Sequence, residues 1–306
     1  MTIRFDDQVV IVTGSGNGLG KSHALEFARR GARVVVNDLG GARDGSGASS
    51  EAAFKVVAQI ESEGGEAMAN GANVADYQQV ETMVSDAVDQ WGRVDVLVNN
   101  AGILRDKTFA KMDLANFQIV LDVHLRGSVN CSKAVWELMR EQQYGRIMMT
   151  SSSSGIYGNF GQTNYGAAKM GLVGFMNSLA LEGQKYGIRV NSLAPVAATR
   201  MTEDVMPENV LALLQPEAVT PAVIFLASED APTRQIIGAG AGVFAKVVIQ
   251  ETVGVFLPPE SRDAEHVAAA WQQIADTAGQ QELQAGGEQT MKFLGKAAAE
   301  LGIKLD

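Results

Sequence analysis

Tyr165 and Lys169 stand four residues apart, just after a run of serines, Ser151 to Ser154. On a helix that spacing stacks the two side chains on one face. An ammonium beside a phenol favours the phenolate and lowers a pKa that is otherwise about 10. A phenol tuned downward can exchange a proton with an alcohol near neutral pH. A nearby serine hydroxyl could hold and polarise the same substrate oxygen. The pair is equally readable as a solvated helix face, and it gains meaning only beside a site for a hydride carrier.

Such a site is legible near the N-terminus. Thr13-Gly14-Ser15-Gly16-Asn17-Gly18-Leu19-Gly20 lies between a short apolar run, Gln8 to Thr13, and a helical pattern from Lys21 to Arg30. Glycines there permit a tight turn and bring backbone N–H groups to a pyrophosphate at a helix N-terminus. Gly14, Ser15, Asn17, Gly18, Leu19 and Gly20 are therefore candidate cofactor contacts. Asp38 follows Gly20 by 18 residues, at the end of a second strand, Arg33 to Asn37. A carboxylate there accepts hydrogen bonds from ribose hydroxyls and repels a 2′-phosphate, which predicts NAD rather than NADP. The plainer reading is that Asp38 caps a turn. Asn73 and Val74, at the end of a third strand, could bracket the adenine. Asn100, Ala101 and Gly102 end a fourth, where doubly wound folds place ligand contacts. Buried asparagines need hydrogen-bond partners, so Asn99 and Asn100 could brace the turn, touch the cofactor ribose, or both.

The elements that must position these residues alternate regularly. Strands are expected at Gln8–Thr13, Arg33–Asn37, Glu66–Val74, Val94–Val98, Arg146–Ser151 and Arg189–Leu193. Helices are expected at Glu51–Glu63, Asp76–Trp91, Asn116–Gln142 and from the tyrosine motif to about Tyr186. Near-continuous apolar strands separated by helices specify βαβ units and a parallel sheet covered on both faces. The fold class is α/β, a doubly wound parallel sheet of Rossmann type. A helical segment at Pro221–Ser228 and a final strand or hairpin within Gly240–Phe256 complete it. Pro258-Pro259 marks a boundary, giving a dinucleotide-binding domain over 1–257 and a C-terminal helical extension over 258–306. The extension reads as amphipathic helices at Arg262–Asp276 and Gly287–Leu301, either a helical cap or an arm that covers a substrate or partner.

Composition narrows the function. The chain has 306 residues, 46% of them hydrophobic, and a net charge of −10 without a basic cluster, which argues against nucleic acid as a partner. One cysteine, Cys131, and three scattered histidines leave no disulfide framework and no metal-ligand spacing, so no metal is expected. No signal peptide, uncharged apolar run of membrane-spanning length, or Ser-Lys-Leu ending is visible, and a cytoplasmic protein without a membrane span is expected. A Ser-His-Asp hydrolase would need a Gly-x-Ser-x-Gly elbow and a paired histidine, and neither is visible.

In combination these motifs resemble the short-chain dehydrogenase/reductases over about residues 5–250: Thr-Gly-x-x-x-Gly-x-Gly at 13–20, Asn-Asn-Ala-Gly at 99–102, a serine thirteen residues before the tyrosine, and Tyr-x-x-x-Lys at 165–169. The resemblance implies Ser152 as the catalytic serine, Tyr165 as the base and Lys169 as its helper, which also holds the nicotinamide ribose. It implies that Pro195, Ala197 and Thr199 border the nicotinamide, although Val196 stands where the family usually has glycine. Most members carry asparagine where His124 stands, completing a water-mediated proton relay with Lys169. His124 is thus either a relay member or a core histidine held by backbone carbonyls.

Further stretches are similar to one subgroup, the (3R)-hydroxyacyl-CoA dehydrogenase part of peroxisomal multifunctional enzymes type 2, also called 17β-hydroxysteroid dehydrogenases type 4. They are Val-Asn-Asp-Leu-Gly-Gly (36–41), Ala-Gly-Ile-Leu-Arg-Asp (101–106), His-Leu-Arg-Gly-Ser (124–128), Gly-Ile-Tyr-Gly-Asn-Phe-Gly-Gln (155–162), Arg-Met-Thr (200–202) and Val-Met-Pro-Glu (205–208). The subgroup implies NAD-dependent oxidation of a (3R)-3-hydroxyacyl-CoA in a homodimer whose C-terminal extension helps complete the acyl-CoA cavity. The alternatives are a hydroxysteroid or other secondary alcohol as substrate, or a non-catalytic NAD-binding sensor.

Overall fold

The structure is a computed structural model of the chain and describes residues 2–47, 49–197 and 207–305. It comprises two compact units, residues 1–246 and 247–306. In the first, strands and helices alternate: β1 (Val9–Thr13), α1 (Gly18–Arg29), β2 (Arg33–Asn37), α2 (Glu51–Ser62), β3 (Glu66–Asn70), α3 (Tyr77–Trp91), β4 (Val96–Asn99), α4 (Leu114–Leu121) and α5 (Gly127–Gln142). Then follow β5 (Gly145–Thr150), α6 (Ser153–Ile156), α7 (Thr163–Gly183), β6 (Ile188–Val196), α8 (Glu208–Leu211), α9 (Thr220–Ala227), β7 (Ile236–Gly240) and β8 (Val243–Val247).

The sheet order is β3-β2-β1-β4-β5-β6-β7-β8, and the pairs from β3 through β7 are parallel. All five residues of β1 are buried, as a strand covered on both faces requires. The helices supply the cover through apolar stripes. In α3, Val80, Met83, Val84 and Ala87 are the buried face, at the spacing of one helical side. Asp76 caps that helix by accepting from the Gln78 and Gln79 N–H groups, and Gly92, at φ 77°, ends it. Truncating the fully buried Met83 to Ala would cost roughly 2–5 kcal/mol. Strand order reverses between β1 and β4, so the turns after these two strands open the crevice in which such sheets bind ligands.

Two elements differ from the sequence expectation. The single helix expected over Asn116–Gln142 is α4 and α5 joined by a π-helical turn, Asp122–Arg126, which contains the buried His124. β7 lies ahead of the expected C-terminal strand. Its Gly-Ala-Gly ending has little intrinsic strand preference and is held by pairing, Ser192 opposite Ile236 through Val196 opposite Gly240. Residues Asn209–Ala227 match a membrane span in length and composition, with mean hydropathy 1.7. Pro216 opens a 3-10 turn that separates α8 from α9, and α9 buries Ala222, Val223, Ile224, Leu226 and Ala227 in the core of the first unit.

The second unit contains α10 (Ala264–Ala269), α11 (Trp271–Ile274) and α12 (Gly286–Leu301). It begins before the Pro258 boundary because residues 251–254 are tied to its helices. Glu251 and Gln281 exchange backbone hydrogen bonds at 2.9 Å, Lys292 donates to the Glu251 carboxylate at 2.7 Å, and Lys296 donates to the Gly254 carbonyl at 2.8 Å.

Candidate active site

Helix α7 carries Tyr165 and Lys169 on one face, with the lysine Nζ 5.4 Å from the centre of the tyrosine ring. Lys169 is buried, and its Nζ donates to the Thr150 carbonyl oxygen at 2.5 Å, where β5 ends. Ser151 Oγ donates to the Lys169 carbonyl at 2.8 Å and ties the same strand end to α7. Ser152 caps α6 by accepting from Ser154 N at 3.1 Å, and its side chain is near enough to the Tyr165 phenol to favour the phenolate. The two serines therefore differ: Ser151 is a strut between strand and helix, and Ser152 is a helix cap beside the phenol.

His124 reaches this group from the π-helical turn. Its ring meets that of Tyr165 edge to face, centroids 5.1 Å apart. Its Nε2 lies 2.8 Å from the Ile103 carbonyl oxygen and 3.0 Å from Ile103 N, and a neutral ring satisfies one or the other according to tautomer. Nδ1 is buried without a hydrogen-bond partner. The ring fits because residue 102 is glycine: a Cβ there would come within 2.3 Å of His124 Cε1.

Protonation follows from burial. Burial lowers the Lys169 pKa to about 7. Burial, with the Lys169 charge added, holds His124 well below 6.5 and neutral. The sequence suggests a phenol lowered by its lysine, and in the chain alone the direction is reversed. The surrounding protein pushes Tyr165 above 10, more than the neighbouring Ser152 lowers it.

Gly14, Asn17, Gly18, Leu19, Gly20, Asp38, Asn73, Val74, Asn100, Ala101, Gly102, Tyr165, Lys169 and Pro195 all line one cavity of about 370 Å³, together with His124 and Thr150. Three expected residues stand off that lining. Ser15 is fully buried, and its hydroxyl donates into the strand ends, with the Val12 carbonyl at 2.7 Å and the Asn37 carbonyl at 3.2 Å. Ala197 is packed into the core. Ser152 is buried beside Tyr165 and off the lining. Thr199 lies outside the described residues, as do Arg200–Thr202 of the subgroup motif.

The cavity fits a dinucleotide. A Cβ at Gly20 would lie 2.3 Å from the Gly14 carbonyl oxygen, and one at Gly14 would lie 2.7 Å from Ala101 Cα, so the loop closes only with glycine. Asn17 precedes α1 without a side-chain cap, which leaves the first-turn N–H groups to an anion. Asp38 accepts from Gly16 N and Gly40 N, each at 2.7 Å. It therefore does cap a turn, and a carboxylate with about four acceptor sites retains capacity for two ribose hydroxyls. Asn100 braces the loop, with Nδ2 donating to the Thr13 and Gly14 carbonyls at 2.9 and 3.0 Å. Asn73 accepts from Ala75 N at 3.0 Å, and the Val74 carbonyl accepts from Asn130 Nδ2 at 2.9 Å.

Residues 8–209 match the short chain dehydrogenase family. The chain belongs to that family. It is 50% identical over 276 residues to a Mycobacterium tuberculosis protein named as a short-chain type dehydrogenase/reductase, covering 89% of this chain and 96% of that protein. It is 48% identical over 277 residues to mouse peroxisomal multifunctional enzyme type 2, covering 90% of this chain and 37% of the enzyme. The solved full-length peroxisomal multifunctional enzyme type 2 of Drosophila melanogaster superposes with a TM-score of 0.81 at 36% identity, covering 98% of this chain and 51% of that one. This short-chain dehydrogenase thus spans 37% of the mouse enzyme and 51% of the Drosophila one.

Sequence reasoning missed residues that work through the main chain. The carbonyl of Thr150 holds Lys169, and no side-chain pattern reports a carbonyl. Asn164 is fully buried; its Oδ1 accepts from Tyr165 N at 2.8 Å and its Nδ2 donates to the Arg105 carbonyl at 3.0 Å. The available signal was an amide immediately before the tyrosine.

Proposed function

We propose that this short-chain dehydrogenase oxidises a (3R)-3-hydroxyacyl-CoA to the 3-oxoacyl-CoA with NAD. The observation that carries the chemistry is that the Tyr165 phenol and the buried Lys169 ammonium line the same cavity as the glycine loop, with Ser152 beside the phenol. The likeness to the multifunctional enzymes supports the substrate class. Asp38, just after β2 on the cavity lining and with a carboxylate held by two backbone N–H groups, supports NAD over NADP.

The residues divide the work. Ser152 holds the substrate hydroxyl and orients it toward Tyr165. Tyr165 takes the hydroxyl proton, and the charge of Lys169, fixed on the Thr150 carbonyl, stabilises the phenolate as it forms. His124 keeps the turn at Ile103 in place and remains neutral, so it adds no second positive charge beside Lys169. A bound nicotinamide supplies the hydride acceptor, and its positive ring further favours the phenolate.

The test is NADH formation with (3R)- and (3S)-3-hydroxyacyl-CoAs of several chain lengths beside a 17β-hydroxysteroid. The proposal expects turnover of the 3R series. Turnover of the 3S series alone, or of the steroid alone, would overturn it.

A further inference from the structure

Residues 39–47 follow Asp38 as a compact loop on the cavity wall, and Leu39, Gly41, Ala42, Arg43 and Gly45 all line the space. Ser49 N donates to the Leu39 carbonyl at 2.9 Å and closes its base. Inside, Ala42 N donates to the Ser46 carbonyl at 2.7 Å and Gly45 N to the Ala42 carbonyl at 2.9 Å. The loop therefore has its own internal order, as compact surface loops with neighbouring ends do. Gly40, Gly45 and Gly47 have φ of 70°, 84° and 76°, values that cost glycine little and suit a hinged segment.

Its outer attachments converge on one short stretch after β4. Leu104 N donates to the Arg43 carbonyl at 3.0 Å, and Arg105 Nε donates to the Asp44 carbonyl at 2.9 Å. Arg105 Nη1 is braced on α4 by Asn116 Oδ1 at 2.6 Å. The backbone of the same arginine faces the other way, because its carbonyl accepts from Asn164 Nδ2, and Asn164 in turn accepts from Tyr165 N. The neighbouring residues fasten the stretch to the loop before α7, through Gln162 Nε2 to Asp106 Oδ2 at 2.7 Å and Lys107 N to the Gly161 carbonyl at 2.9 Å.

We propose that residues 39–47 are a lid over the dinucleotide cavity and that Arg105 is its latch, a positioning residue that sets how fast the dinucleotide leaves. The inference rests on the reading of this cavity as a dinucleotide site. A lid beside Asp38 must open for the spent cofactor to escape, and such openings set turnover in many enzymes. The side chain of Arg105 holds the lid while its carbonyl, through Asn164, holds the start of the tyrosine helix. The two functions are therefore separable by mutation.

The experiment is stopped-flow displacement of NADH from the full-length chain by excess NAD, read beside single-turnover rates and melting temperature. Arg105→Ala should release NADH about three- to tenfold faster, the value of one ordinary net hydrogen bond at an exposed site, with the single-turnover rate unchanged. Arg105→Lys should recover part of the slow release. Asn164→Asp, which cannot donate to the Arg105 carbonyl, should slow the single turnover and leave NADH release at the wild-type rate. Should Arg105→Ala not fold, Asn116→Ala removes only the brace and should also speed release. Wild-type release from Arg105→Ala or from its substitute, or equal acceleration by Asn164→Asp, would overturn the latch. A wild-type chain that does not bind NADH would overturn the dinucleotide reading itself, and the lid with it.

Discussion

Lys169 is anchored on Thr150: its Nζ donates to the Thr150 carbonyl oxygen at 2.5 Å, at the end of β5. The bond fixes an ammonium beside Tyr165, and among the described residues no carboxylate forms an ion pair with it. The positive charge therefore remains available to the phenol, at the cost of a Lys169 pKa drawn down by burial to about 7.

That cost should appear in stability. The folded pKa of Lys169, about 7, lies below its unfolded value near 10.5, so the unfolded chain binds more protons between these limits and stability rises with pH there. Against Lys169→Met, wild type should gain roughly 2–3 kcal/mol between pH 7 and 9, read from urea unfolding. A difference that stays flat across that window would show that Lys169 is not buried as described.

His23 should act at the acid end. It is buried on α1, with Nδ1 2.8 Å from Thr220 Oγ1, and burial lowers its pKa to about 3. Its contribution is complete above the unfolded pKa near 6.5 and is lost as pH falls toward 3, at about 1.4 kcal/mol per pH unit. Urea midpoints of wild type should therefore fall more steeply than those of His23→Asn between pH 6 and 4. Parallel slopes would contradict the assignment.

Gly20→Ala should abolish dinucleotide binding. Its Cβ meets the Gly14 carbonyl at 2.3 Å and Asn100 Nδ2 at 2.5 Å, and the carbonyl belongs to backbone that cannot swing aside. Isothermal titration with NADH should show no heat, while circular dichroism keeps its helical signal.

Asp38→Asn should relax cofactor choice, because it removes the charge that repels a 2′-phosphate but keeps an acceptor for the backbone. The ratio of kcat/KM for NADP over NAD should rise at least about tenfold, the effect of roughly 1.4 kcal/mol. An unchanged ratio with a lowered Tm would leave Asp38 as a turn cap alone.

The glycine loop, Asp38 and the doubly wound order were legible because each depends on local pattern: β-branched runs, glycine spacing and an acid at a strand end. Ser152 was separable from its neighbours only by family spacing, since four adjacent hydroxyls carry no positional signal until the fold makes one a strut to Lys169 and the next the cap of α6. The π-helical turn at His124 was hidden because none of its five residues, Asp122 to Arg126, is a type that breaks a helix or marks a wider turn. The reversal at Tyr165 was hidden because a pKa depends on how much protein surrounds the phenol, which spacing does not reveal. β7 was missed for a third reason: its register comes from β6 rather than from its own residues.

The most direct test of the account is a single-turnover measurement of Tyr165→Phe with NAD and a (3R)-3-hydroxyacyl-CoA, read beside NADH binding by fluorescence. Losing the proton acceptor should slow the single turnover by about 10²–10⁴-fold, with NADH affinity within about twofold of wild type, since the phenol is one contact in a cavity otherwise unchanged. A Tyr165→Phe enzyme that reduces NAD at the wild-type rate would contradict it.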